Sequence, residues 1–351
     1  MTTELLRSRV DKALHEFLRS ATPPLGAVSP DLVPFVDAIE AFVLDGGKRL
    51  RPAFCYWGYR AVTSDDSDAL VRAAASLELV QAGALVHDDV IDRSDTRRGA
   101  PSVHRRFAAL HRASGWTGDP EAFGQAAAIL LGDLALVWAD AMLATSGLPA
   151  DALGRAQSVW EAMRVEVMCG QYLDVVEQAR GGGSVERALR VARYKSAKYT
   201  VERPLHLGAT LAGGNGAVLA GLGEYGLAIG EAFQLRDDML GVFGDPDATG
   251  KPAGDDLREG KRTVLVAVAL ERSTDAQRTA IRERLGDPAL DDNGVDVLRE
   301  IITSTGAVDV VESMIDQRVT VAVLALDATD VRSDAAKALR TLAIAATRRH
   351  G

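Results

Sequence analysis

From about Ala69 the chain runs apolar and alanine-rich, with neither glycine nor proline before Gly83. Such a stretch reads as a helix buried on most of its faces, and the rest of the chain must pack around it. It ends in Leu85-Val86-His87-Asp88-Asp89-Val90-Ile91-Asp92. Carboxylates are thus gathered at the helix C-terminus, the end whose dipole disfavours negative charge. Asp88 and Asp92 are four residues apart and project from one face, one turn from each other, while Asp89 points roughly 100° away. Carboxylates in this unfavourable place call for a counter-charge, and hard oxygen ligands suit Mg²⁺. Arg97 and Arg98 follow closely and carry fork-shaped donors suited to phosphate. The same residues also read as a solvated acidic helix end salt-bridged to those arginines.

A second segment tips the balance. Phe233-Gln234-Leu235-Arg236-Asp237-Asp238-Met239-Leu240-Gly241 again ends an apolar helical run in paired aspartates. Two acidic helix ends in one helical bundle can hold metal ions between them. Periodicity of the helical kind recurs along the remaining chain. It covers Thr3–Ser20, 35–44, 126–145, 153–178, 187–211 and 218–242, and then five shorter stretches between 263 and 349. Proline-rich 22–34, glycine-rich 181–183 and 213–216, and the Gly/Asp/Lys-rich segment 245–262 read as breaks or loops. No alternating strand pattern, repeat or composition shift is present. The expected fold is all-α, one large helical bundle around a deep central cavity, spanning residues 1–351 as a single domain.

Composition closes off other classes. The formal net charge is −9, with 40 basic against 49 acidic residues, which disfavours nucleic acid as a partner and requires local basic clusters for any anion. The hydrophobic fraction of 47% is ample for a sizeable core. Two cysteines, Cys55 and Cys169, in apolar helical contexts read as free thiols in a reducing compartment. No N-terminal signal pattern appears, and no 18-residue apolar run lacks charge, so a cytoplasmic protein without a membrane span is expected.

Other clusters carry weaker signals alone. Gly46-Gly47-Lys48-Arg49-Leu50-Arg51-Pro52 sets Lys48 and Arg51 three apart beside glycines, as an anion site or a basic helix cap. Gln171 and Asp174 share a face of an apolar helix, so they need partners. Tyr194-Lys195-Ser196-Ala197-Lys198-Tyr199-Thr200 and the lysines of Thr249-Gly250-Lys251 … Lys261-Arg262-Thr263 could meet phosphate or simply be solvated.

Taken in order, GGKRLRP, LVHDDVIDRSDTRRGAPSVH, GQYLD, YKSAKYT and FQLRDDMLGVFGD with TGKPAGDDLREGKRT resemble the trans-isoprenyl diphosphate synthase (polyprenyl synthetase) family, and most of all bacterial geranylgeranyl diphosphate synthases. The resemblance implies a homodimeric, Mg²⁺-dependent prenyltransferase. Such an enzyme joins isopentenyl diphosphate head-to-tail to an allylic diphosphate such as dimethylallyl, geranyl or farnesyl diphosphate. By position it implies that Asp88, Asp92 and Asp237 hold two or three Mg²⁺ ions, with Asp174 nearby. Lys48, Arg51, Gln81 and Arg98 would grip isopentenyl diphosphate. Arg97, Lys195, Lys251 and Lys261 would contact the allylic diphosphate, with Ser196, Gln234 and Asp238 in the same wall. Leu77, Val80, Gly83 and Ala84 would set chain length. Small residues at 83 and 84, where shorter-chain relatives carry aromatics, point to geranylgeranyl diphosphate as product, with farnesyl or longer chains as alternatives. Gln81 stands where many relatives have His, and Gly241 where a third Asp is frequent. A class I terpene cyclase would not need the Lys48, Arg51, Arg98 set. A non-catalytic subunit would be expected to have lost an aspartate motif.

Overall fold

The computed structural model describes residues 1–181, 183–245 and 254–347. Its helices, in chain order, are α1 (Thr3–Ala21), α2 (Pro23–Gly26), α3 (Val33–Leu44), α4 (Leu50–Val62), α5 (Asp68–Ile91), α6 (Val103–Ala113), α7 (Pro120–Ala144), α8 (Ala150–Arg180) and α9 (Val185–Val191). A π-helix, Ala192–Glu202, runs directly into α10 (Arg203–Leu211). Then come α11 (Gly216–Phe243), α12 (Asp255–Arg258), α13 (Val264–Arg272), α14 (Asp275–Arg284), α15 (Asp292–Ser304), α16 (Ala307–Ala328) and α17 (Ser333–Thr347). The strands among the described residues are a two-residue antiparallel pair, β1 (Thr96–Arg97) and β2 (Ala100–Pro101), so the all-α expectation holds. The proline-rich stretch read as a loop carries α2 and a single 3-10 turn, Pro30–Leu32.

The chain divides into two compact units, Met1–Gln157 with Leu207–Gly213, and Ser158–His206 with Gly214–Gly351. Two of the three changes of unit fall inside the continuous helices α8 and α10. No linker marks them, which is why sequence composition shows no boundary.

In the first unit α5 is the axis. Ser67 caps its start, its hydroxyl accepting the Leu70 N–H at 3.2 Å. Leu70, Ala73, Ala74, Leu77 and Leu79 are fully buried, and α1, α4 and α7 pack around them. Close approach of α7 depends on glycine: a Cβ added at Gly83 would lie 2.9 Å from the Gly132 carbonyl oxygen. Helices α5 and α7 are both long and apolar enough to cross a membrane, but 72% of the apolar window of α5 is buried among its neighbours, as a core helix requires.

In the second unit α11 takes the same part, packed against the π-helix and α16. Leu235 and Val242 of α11 join Leu265, Val266, Leu298 and Val311 in one buried cluster. The π-helix lies between two glycines. A Cβ at Gly170 of α8 would overlap the Lys195 backbone, and one at Gly230 of α11 would overlap that of Ala197. Wider i→i+5 bonding, seen where the Arg203 N–H reaches the Lys198 carbonyl, sets this segment apart from ordinary α-helix.

Candidate active site

The first unit carries the first acidic helix end. Asp92 caps α5, its N–H bonding the Asp88 carbonyl at 2.8 Å, and the chain then turns at Arg93 with a positive φ of 56°. Asp89 is fully buried and is the partner of Arg97, whose Nε donates to Oδ1 at 2.8 Å and whose Nη2 meets the same oxygen. Arg97 also stands 3.7 Å from Asp88. The middle aspartate is therefore a fixed counter-ion, while Asp88 and Asp92, four residues apart, share a face of the helix end. Among the described residues no three His, Cys, Asp or Glu side chains form a ready metal cage. That donor set fits Mg²⁺ bound with its substrate, since this ion keeps several waters and takes one or two carboxylates plus phosphate oxygens.

The basic cluster of the same unit is built on left-handed backbone. Arg49 has φ 49°, a conformation costing about 1–2 kcal/mol for a residue with a Cβ. It is over-determined by its side chain. Nε donates to Asp11 at 2.8 Å, Nη1 to Glu78 of α5 at 2.7 Å and Nη2 to the Val43 carbonyl at 3.0 Å. Arg49 and Glu78 are 3% and 7% exposed, so loss of either partner would strand a buried charge at a cost of roughly 3–5 kcal/mol. This arrangement ties the start of α4 to α5. Lys48 is exposed, Arg51 and Gln81 half-buried. Arg98 reaches the same turn from the β1–β2 hairpin, donating to the Asp45 carbonyl at 2.7 Å and lying over the Phe42 ring at 5.6 Å. Although Arg98 is exposed by area, partial desolvation lowers its pKa, Glu78 opposes this, and nearby Arg49 and Arg97 add to the lowering. A crowded cation of this kind gains from an incoming anion.

His87 faces away from this chemistry. Its Nε2 bonds the Ile129 carbonyl at 3.1 Å and its ring sits over Gly132. His104 is buried, with Nδ1 at 3.1 Å from the Ser102 hydroxyl.

The second unit carries the other candidates. Lys195, on the π-helix, donates to Asp174 of α8 at 2.7 Å. Ser196 beside it is half-buried. Further along, Lys198 and Arg203 both grip Glu166 of α8, through bonds of 2.7 Å and 2.6 Å. On α11 Asp237 is exposed and Asp238 buried. Burial pushes the Asp238 carboxyl well above the usual carboxylate range, with the Gln234 hydrogen bond at 2.7 Å opposing and the charges of Asp256 and Asp237 adding to the rise. Lys261 donates to Asp256 at 3.0 Å and meets Glu259 at 2.6 Å. Lys251 lies outside the described residues. Sequence reading passed over Arg49, Glu78 and Asp256. Arg49 and Asp256 sit within quoted motifs, whereas Glu78 lies seven residues before Leu85, where the first aspartate motif begins, and carries no such signal.

The family model described as polyprenyl synthetase matches residues 34–302. The chain belongs to the polyprenyl synthetase family. Among curated relatives of this synthetase, a geranylfarnesyl diphosphate synthase of Aeropyrum pernix is 34% identical over 272 residues, 76% of this chain and 79% of that protein. A geranylgeranyl diphosphate synthase of Mycobacterium tuberculosis is 31% identical over 326 residues, 92% of this chain and 87% of that one. Of solved structures, a geranylgeranyl pyrophosphate synthase from Corynebacterium glutamicum, complexed with isoprenyl diphosphate and magnesium, is 46% identical, covers both chains fully and superposes with a TM-score of 0.97. The helical fold of this synthetase is thus that of the isoprenoid synthases it resembles.

Proposed function

We propose that this polyprenyl synthetase is a Mg²⁺-dependent prenyltransferase that condenses isopentenyl diphosphate with an allylic diphosphate, giving geranylgeranyl diphosphate as its main product. The observation that carries the reading is the division of labour in the first acidic motif. Arg97 is held by the buried Asp89 and stands 3.7 Å from Asp88, so a cation is fixed beside Asp88 and Asp92, the pair this reading assigns to a metal-bound diphosphate.

Asp88 and Asp92 in the first unit and Asp237 in the second are the residues that would hold Mg²⁺, two or three ions in all, and the metal would offset the charge that grows on the diphosphate leaving group. Lys195, Lys251, Lys261 and Arg97 bind the same diphosphate and stabilise it as the allylic C–O bond breaks. Asp174 holds the Lys195 ammonium at 2.7 Å and aims it. Lys48, Arg51, Gln81 and Arg98 seat isopentenyl diphosphate so that its double bond faces the allylic carbon. Apolar residues of α5, Leu77 and Val80 among them, exclude water from the prenyl tail. The departing diphosphate takes up the proton lost on forming the new double bond, so no histidine base is needed. We further propose that residues 1–351 work as one catalytic domain; the family match spans both units.

Steady-state titration of each substrate tests the assignment. Lys48→Ala and Arg51→Ala are expected to raise KM for isopentenyl diphosphate, and Lys195→Ala that for the allylic substrate. Each change removes a charge-assisted bond of roughly 1.5–3 kcal/mol. Reversed effects would mean that the two subsites are exchanged, and product release from the allylic substrate alone would make the chain a cyclase.

The working form is proposed to be a homodimer in the cytoplasm. Its support is the outer face of α7, where Ile129, Leu130 and Val137 are 46%, 61% and 63% exposed. Side chains of this size in one stripe call for a covering surface. Sedimentation at micromolar concentration is expected to give twice the chain mass, and a single-chain mass at full activity would exclude the dimer.

A further inference from the structure

We propose that Asp256 supplies, from a different element, the third carboxylate that the second aspartate motif lacks at Gly241. Gly241 lies one helical turn beyond Asp237 on α11, so a side chain there would share the face of Asp237. That space is already taken. A Cβ added at Gly241 would overlap Oδ2 and Cγ of Asp256, so the Asp256 carboxylate occupies the place of a side chain at 241.

The local structure delivers it there. The chain enters α12 through Gly254 in the left-handed region, φ 77°, and Asp256 sits in the first turn of this four-residue helix. The Lys261 N–H bonds the Asp256 carbonyl at 3.0 Å, and the Lys261 ammonium bonds its carboxylate at the same distance. Backbone and side chain thus fix Asp256 against α11, its side chain only 13% exposed. Glycine at 241 is explained by this contact: aspartate there would collide with Asp256 rather than add to it. The pair 241 and 256 behaves as one position, filled once.

The proposal rests on the metal–diphosphate reading given above, and calorimetry of Mn²⁺ binding in the presence of inorganic diphosphate separates the two. The parent enzyme is expected to bind Mn²⁺ in a diphosphate-dependent way. Asp256→Asn should weaken that binding tenfold or more. Gly241→Asp alone should weaken it too, by collision. Gly241→Asp combined with Asp256→Ala should recover binding to within about threefold of the parent, because the carboxylate returns from the other side. Melting temperature is recorded alongside. If Asp256→Asn binds Mn²⁺ as the parent does while melting at lower temperature, Asp256 is only a structural partner of Lys261 and the proposal fails. It fails equally if the double variant folds but binds no better than Asp256→Asn. Absence of diphosphate-dependent Mn²⁺ binding in the parent would overturn the metal reading itself.

Discussion

Asp88→Asn is expected to lower turnover about 100- to 1000-fold, while His87→Ala, one residue away, should cost less than tenfold. The first change removes a charge that would hold metal at the developing negative charge of the leaving group, where a single preorganised electrostatic contact is worth roughly 2.7–4 kcal/mol. The second removes a ring that packs over Gly132 and bonds the Ile129 carbonyl, so its cost should appear in melting temperature. Asp89→Asn separates position from charge in a third way. It frees Arg97, the partner of the buried Asp89, and should impair activity without removing a metal ligand. The measurement is single-turnover release of diphosphate at saturating Mg²⁺. Near-parental rates for Asp88→Asn would remove the metal assignment from this helix end.

Why some of this was legible in sequence and some was not follows from the distance over which each feature is determined. Asp88, Asp92 and Asp237 stand out because acid at a helix C-terminus violates a local electrostatic rule, and such violations are visible in one dimension. The long helices are visible for the same reason, being runs of one period. The π-helix is not. Tyr194–Thr200 has ordinary helical composition, and its register is associated with the close approach of Gly170 and Gly230, which lie far away in the chain. Arg49 looked like one more basic residue beside Lys48 and Arg51. Its role depends on Glu78 and Asp11, partners 29 and 38 residues away. Gly241 read as a missing ligand, because the sequence does not show that Asp256 fills its space. The division into two units was hidden because two of its three changes fall within α8 and α10, where periodicity continues unbroken, and the third falls in the short glycine-rich break at 213–216, which reads as an ordinary turn between helices.

Ala84→Phe is expected to shorten the product from geranylgeranyl to farnesyl length. If the allylic diphosphate is fixed at Asp88 and Asp92, its tail runs back along α5, and the distance from Asp88 to Leu77 is about 16 Å at ~1.5 Å per residue. Ala84 lies one turn behind Asp88 and is half-buried, so a phenyl ring there would close the near end of that path. The geometry treats Gly83 differently from the sequence reading, which grouped it with Ala84 as a chain-length residue. A side chain at 83 would press on Gly132 and on Leu136, 3.1 Å away, both on α7. Gly83→Phe should therefore lower stability, by at least the 1–3 kcal/mol usual for overpacking, instead of trimming the product. Leu77 and Val80, at 0% and 1% exposure, form the next floor in this reading. Leu77→Ala should lengthen the product while costing about 2–5 kcal/mol of stability as a core truncation. Chromatography of the dephosphorylated products reads all three variants. If Ala84→Phe folds and turns over with the parental distribution, the tail does not follow this face of α5, and chain length is set by other helices.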